Sequence, residues 1–190
     1  DLKSKADTLN NLGAVYMFQD DNKKRLAVNI ECQDIRRQVN DLEGVSSSEG
    51  NIGETHFEMG NFIEAQKSFE SVLNNEHSSP QGLSWAYHNI GKIHSVNKNW
   101  DLALSFFEKG LEISESVNYN VLIVDSYIEI TDLFLKQNKL VEAKENAIKG
   151  REISIKIGAK DGEKKSLYFN NYISFTFFYF NNGNIRIYIR

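Results

Sequence analysis

GNIGETHFEMGNFIEAQKSF, residues 50–69, is the stretch from which the rest of the chain is read. It has the form of one helix, a Gly60-Asn61 break, and the start of a second helix. The same pattern recurs along the chain. Asn11-Leu12-Gly13, Asn51-Ile52-Gly53 and Asn89-Ile90-Gly91 are spaced by 40 and 38 residues, and Glu129-Ile130-Thr131 follows 40 later. Seven residues beyond each anchor comes a polar break: Asp20-Asp21, Gly60-Asn61, Lys98-Asn99 and Asn138-Lys139. A large apolar residue follows in three units (Phe62, Trp100, Leu140), and three residues later a small one (Ala65, Ala103, Ala143). Asn22 and Arg25 are the exceptions in the first unit. Self-similarity at such a period is the signature of a solenoid.

Each unit makes sense as two antiparallel helices. Tyr87, Ile90, Gly91 and His94 fall on one stripe at helical period. Glycine inside a helix costs about 1 kcal/mol against alanine, so its use here implies close approach of a neighbouring helix. In the second helix, Asn61 is expected to cap the N-terminus, with Glu64 reaching back. Phe62, Ala65, Phe69 and Val72 form the buried stripe; Trp100, Ala103, Phe107, Gly110 and Leu140, Ala143, Ala147, Gly150 repeat it. Connections are expected at 40–44, 74–82, 117–120 and 158–165. The single proline, Pro80, disfavours helix at Ser79 and so ends the preceding helix before it.

These offsets resemble the tetratricopeptide repeat family, in a variety with a period near 40 residues. The small positions of that motif fall on Gly53, Ala65, Val72, on Gly91, Ala103, Gly110, and on Thr131, Ala143, Gly150. Its aromatic position falls on Tyr16, His56, His94 and Phe134. The resemblance covers about 5–160 and implies an all-α, right-handed superhelical solenoid of antiparallel helical hairpins, with four units and a partial fifth. The first unit departs from the motif at Arg25 and Cys32, and looser packing is expected there.

The organisation reads as a repeat domain over 1–165 and an aromatic-rich segment over 166–190. That segment holds nine aromatic residues and no acidic one. It has three readings: the first helix of a fifth unit, a β-prone or foreign tail, or an approach to a membrane. Phe175-Thr176, Tyr179, Gly183-Asn184 and Ile185 echo the second unit and support the first of these.

Composition is that of an ordinary globular chain: 190 residues, 41% apolar, 25% charged, net charge −4. That charge gives no field to recruit nucleic acid or anionic lipid, and Arg36-Arg37 and Lys164-Lys165 read as helix-end charges. The lone Cys32 allows no internal disulfide. The chain begins at Asp1 with no secretory signal pattern and reads as a piece of a longer, cytoplasmic protein, with flanking targeting or membrane segments left open.

No catalytic, metal or cofactor motif is present. His56, His77, His88 and His94 form no HExxH pattern, the serines lie in no nucleophile elbow, and no phosphate-cradling loop occurs. His56 and His94 read as packing aromatics, and Glu54, Glu129 and Asp132 as solvated carboxylates or groove residues. The expectation is a chain that is not an enzyme and needs no cofactor.

Stacked hairpins curve, and their first helices line the concave side. Asn11, Asn51 and Asn89 would there form an amide ladder able to hold an extended peptide backbone, against the alternative that they bond between hairpins and set the stacking. This resembles the ladders of kinesin-light-chain-like domains and bacterial peptide-responsive regulators. The resemblance adds Asn10, Glu54, Trp85, His88, Lys92, Asp125, Glu129 and Asp132 as groove positions. The chaperone-tail subtype needs basic residues where this chain has Asp7, Ser47, Trp85 and Asp125, so an acidic C-terminal tail is a poor ligand and a basic or amphipathic segment a better one. Two functions follow: an interaction scaffold for a protein or peptide partner, or a sensory segment of a larger bacterial signalling protein whose partner lies in cis. A third, weaker one is an assembly scaffold whose ends stack with further repeats or another copy.

Overall fold

The computed structural model describes residues 1–181, with side chains through 174. All secondary structure among the described residues is helical. The helices are α1 (Leu2–Phe18), α2 (Asn22–Gln38), α3 (Leu42–Glu58), α4 (Phe62–Asn74), α5 (Pro80–Val96), α6 (Trp100–Ser116), α7 (Asn120–Lys136), α8 (Leu140–Ile157) and α9 (Lys160–Asn181). They form two compact units, Asp1–Val117 and the part from Asn118 on. In the first, α1/α2, α3/α4 and α5/α6 are hairpins, and α2 packs on α3 and α4 on α5. In the second, α7/α8 is a hairpin, and α9 packs on both α8 and α7. The fold is an all-α array of helical hairpins, as the period implies.

The recurrent polar break has a stereochemical cause. Asp20, Gly60, Lys98 and Asn138, each seven residues past its anchor, have φ of 56°, 76°, 60° and 59°. This left-handed residue lets the next amide turn back to the carbonyl five residues earlier: Asp21 N–H to Tyr16, Asn61 to His56, Asn99 to His94 and Lys139 to Phe134, at 2.9–3.0 Å. Orphan carbonyls at the helix end are thereby satisfied, and the donor residue starts the next helix. Asp1, Asp21, Asp41 and Ser79 also cap with their side chains. Asn61 occupies the cap position but its side chain makes no capping bond, contrary to the expectation from Asn61 and Glu64.

Connections are shorter than the composition suggests. α3 begins at Leu42, inside 40–44, and α5 begins at Pro80, with Ser79 as cap. Proline suits the first helical position because its missing N–H has no intrahelical partner there. α9 begins at Lys160, so the break predicted over 158–165 reduces to Gly158 and Ala159. α9 then runs through residue 165 without interruption. The echo at Gly183-Asn184 and Ile185 lies outside the described residues, as do the side chains of Phe175, Thr176 and Tyr179.

The anchor glycines are explained by what faces them. A β-carbon on Gly53 would lie 2.9 Å from the Phe69 ring, and one on Gly91 2.7 Å from the Phe107 ring. Both rings are fully buried. In the fourth hairpin the same pair of positions carries Thr131 and Ala147, both buried, so the larger residue has moved to the first helix and the smaller to the second. Close packing tolerates such volume-conserving exchange.

The first hairpin keeps its own small apolar core, Ala6, Leu9, Cys32 and Ile35. Its junction with the next hairpin is polar. Arg25, Asn29, Gln33 and Arg36 lie along one buried face of α2. Arg25 pairs with Glu54, Asn29 donates to Thr55 Oγ1 at 3.3 Å, Gln33 donates to Glu49, and Arg36 donates to the Gly44 carbonyl at 2.8 Å. By contrast α4 meets α5 through a continuous apolar cluster around Phe69, Val72, Ala86, Ile90 and Ile93.

Candidate functional site

In the first unit the asparagines part ways. Asn51 Nδ2 donates to Asn10 Oδ1 at 3.1 Å, joining α3 to α1. Asn11 is solvent-exposed on α1. Asn89 is only 2% exposed and donates to the Trp85 carbonyl of its own helix at 2.9 Å. The amide pair on the surface is therefore Asn10 and Asn51, while the α5 amide is turned inward.

Beneath that pair lies a notch of about 170 Å³, lined by Asn10, Gly13, Ala14, Met17, Arg25, Asn29, Asn51 and Glu54. Gly13 makes room for it: a β-carbon there would sit 2.7 Å from Asn29 Oδ1. The Arg25 side chain is 5% exposed and that of Glu54 28%, so the floor is a largely buried ion pair whose acidic end reaches solvent. Amides at the rim offer donors and acceptors together, the complement of a peptide group.

The other expected groove residues are placed as follows. Trp85 is half-buried, with its ring edge-on to Phe69 at 5.7 Å. His88 is buried against Phe107, ring centroids 5.4 Å apart. Burial, aided by the Lys92 charge, lowers its pKa to about 3, so it is neutral at ordinary pH. His88 is thus the core histidine. His56 and His94, read as packing aromatics, are half-buried, and His94 stacks on Phe106 at 5.2 Å. Lys92 Nζ lies over the Phe57 ring at 4.5 Å, a cation–π contact that leaves a positive charge near the surface of α3 and α5. On α7, Asp125 is exposed, Glu129 is half-buried, and Asp132 pairs with Lys136.

Arg25 and Asn29 are not among the groove positions expected from the sequence, where Arg25 stands only as a departure from the small-residue position. The available signal was the polar run Arg25, Asn29, Gln33, Arg36 at helical spacing. Among the described residues no group of three or more His, Cys, Asp or Glu is placed to hold a metal ion. No helix there is long and apolar enough to cross a membrane.

The geometry is that of helical-hairpin repeats, an architecture generally used as a protein-interaction scaffold. The tetratricopeptide repeat family model matches residues 83–118, the α5/α6 hairpin. The α5/α6 hairpin thus matches a tetratricopeptide repeat, and the fold is similar to that of solved tetratricopeptide repeat structures. Aspartyl phosphate phosphatase F from Bacillus subtilis is similar in structure with a TM-score of 0.82 at 17% identity, over 91% of this chain and 46% of that one. A signal transduction ATPase with a tetratricopeptide repeat sensor from Pyrococcus horikoshii gives 0.72 at 17% identity, over 90% and 27%. Kinesin-light-chain-like repeats from Podosopora anserina give 0.70 at 13% identity, over 96% and 89%. A curated protein of Cyanophora paradoxa, described as uncharacterized protein ycf37, is 22% identical over 96 residues, half of this chain and 55% of that protein.

Proposed function

We propose that the chain is a protein-interaction module that grips an extended segment of a partner protein along the first helices of its hairpins. The observation that supports this reading best is the Asn10–Asn51 amide pair above the notch floored by Arg25 and Glu54. The partner's backbone would lie across the amides, and a basic side chain would meet the solvent-facing end of Glu54. α9 is read as the first helix of a fifth repeat in the same array. No step of catalysis is assigned to any residue.

The test selects peptides from a displayed random library on the intact chain, then measures their binding to Asn51→Ala and Asn10→Ala. Capture lost at unchanged thermal stability supports the groove. Stability lost with capture untouched means that the amides serve only to hold α1 to α3.

A second reading has its own support. The chain spans only 46% and 27% of the phosphatase and the signalling ATPase it resembles, so the same array can serve as the sensory part of a larger regulator. Reading the open reading frame on both sides decides: an output domain favours this reading, further repeats alone favour the first.

A further inference from the structure

The second unit holds a cleft of about 460 Å³ between its α7 and α9 helices. Gly162 brings the two together: a β-carbon there would lie 2.6 Å from Val124 Cγ1 and 2.7 Å from Ser154 Oγ, so only glycine lets α9 seat this closely. The floor is apolar, Ile128 from α7 and Phe169 from α9, with Tyr168 standing 67% exposed at the edge. The two walls have opposite sign. α7 contributes Glu129 and Asp132, and α9 contributes the exposed Lys164 and Lys165. Asp132 also holds Lys136, yet both side chains of that pair keep 37% and 45% of their surface, so the carboxylate stays accessible.

We propose that this cleft docks a protein segment carrying one large apolar side chain between a basic and an acidic residue. The apolar side chain enters over Ile128 and Phe169, the base faces α7, and the acid faces α9. Charge complementarity selects this occupant. A segment with acids on both sides meets Glu129 and Asp132, one with bases on both sides meets Lys164 and Lys165, and like charges held together across an interface are penalised. An anionic lipid surface is opposed by the α7 carboxylates in the same way. The proposal rests on the reading of the chain as a peptide-binding module, and assigns to the second unit an anchor site with its own specificity.

The experiment uses the full chain and short fluorescein-labelled peptides with a central phenylalanine, flanked by Lys and Glu, by two Lys, or by two Glu. Fluorescence anisotropy is expected to rank the mixed peptide about tenfold tighter than either like-charged one, and Tyr168→Ala to weaken it by a similar factor. Reversing one wall with Lys164→Glu and Lys165→Glu, both at exposed positions, is expected to move the preference to the peptide with two Lys. Asn51→Ala leaves this ranking unchanged if the cleft is a separate anchor. Equal binding of the three peptides, no binding of any, or a ranking untouched by the wall reversal in a folded variant overturns the proposal. So does binding to phosphatidylserine vesicles in place of the mixed peptide. Loss of binding in Asn51→Ala but not in Tyr168→Ala removes the cleft while leaving the α1–α3 groove standing.

Discussion

Glu54→Gln tests the polar junction that also floors the notch. The substitution keeps the size of the side chain and an oxygen that accepts a hydrogen bond, but removes the charge opposite Arg25. Removing one partner of a fully buried pair costs about 3–5 kcal/mol, because an uncompensated charge is left inside. Here the Arg25 side chain is 5% exposed, whereas Glu54 is 28% exposed and solvent screens part of its interaction. Discounted for that exposure, and for the amide oxygen that still accepts, the loss becomes about 1.5–3 kcal/mol. For a chain of this length each kcal/mol moves Tm by about 2–4 °C, which places the midpoint about 3–12 °C lower. Replacing both partners, Arg25→Met with Glu54→Leu, exposes no buried charge and should recover most of the loss. The assay is thermal unfolding followed by circular dichroism at 222 nm, repeated at high salt, where a buried pair changes little. A shift below about 0.5 kcal/mol for Glu54→Gln, the range of exposed ion pairs, would refute the reasoning by showing that Arg25 is solvated.

Gly91→Ala gains about 1 kcal/mol of helix propensity but drives a methyl against the buried Phe107 ring, a cost of about 1–3 kcal/mol. Net destabilisation is expected in urea unfolding, with Phe107→Leu restoring stability to the double variant. Lys98 adopts the left-handed turn at φ 60°, which costs a non-glycine residue about 1–2 kcal/mol, so Lys98→Gly should raise stability by a few tenths to about 1 kcal/mol after the entropy of the freer unfolded chain. His88 has a folded pKa of about 3 against 6.5 unfolded, so between these values the unfolded chain binds the extra proton. Stability is therefore full above pH 6.5 and falls toward pH 3, with a slope approaching 1.4 kcal/mol per unit that His88→Phe should remove from the pH profile of urea midpoints.

The hairpin architecture was legible in the chain because each unit repeats local constraints. The anchor-to-break spacing fixes where a left-handed residue must end one helix, and the periodic stripes at Phe69, Val72, Phe107 and Gly110 fix the faces that pack. Even the anchor glycine and its partner aromatic follow from the period once the two helices are paired. What the sequence left open lies where polar residues stand at packing positions. Arg25, Asn29, Gln33 and Arg36 look like surface residues in a list, and only the approach of α3 turns them into a buried polar face.

Which asparagines share the surface was likewise a tertiary outcome. Asn51 and Asn89 occupy equivalent positions in two nearly identical patterns, yet Asn51 reaches across to α1 whereas Asn89 bonds back along its own helix. Nothing local separates them, since both carry the same amide one residue before an apolar-Gly pair. Similarly, His88 and His94 each meet a phenylalanine ring of α6, Phe107 and Phe106, yet only His88 is buried. Sequence determined the helices, their ends and their repeat, all set by contacts between residues close along the chain. Tertiary structure alone decided which polar groups are buried, paired or free to meet a partner, because those fates depend on which helices come together, as Arg25 of α2 and Glu54 of α3 show.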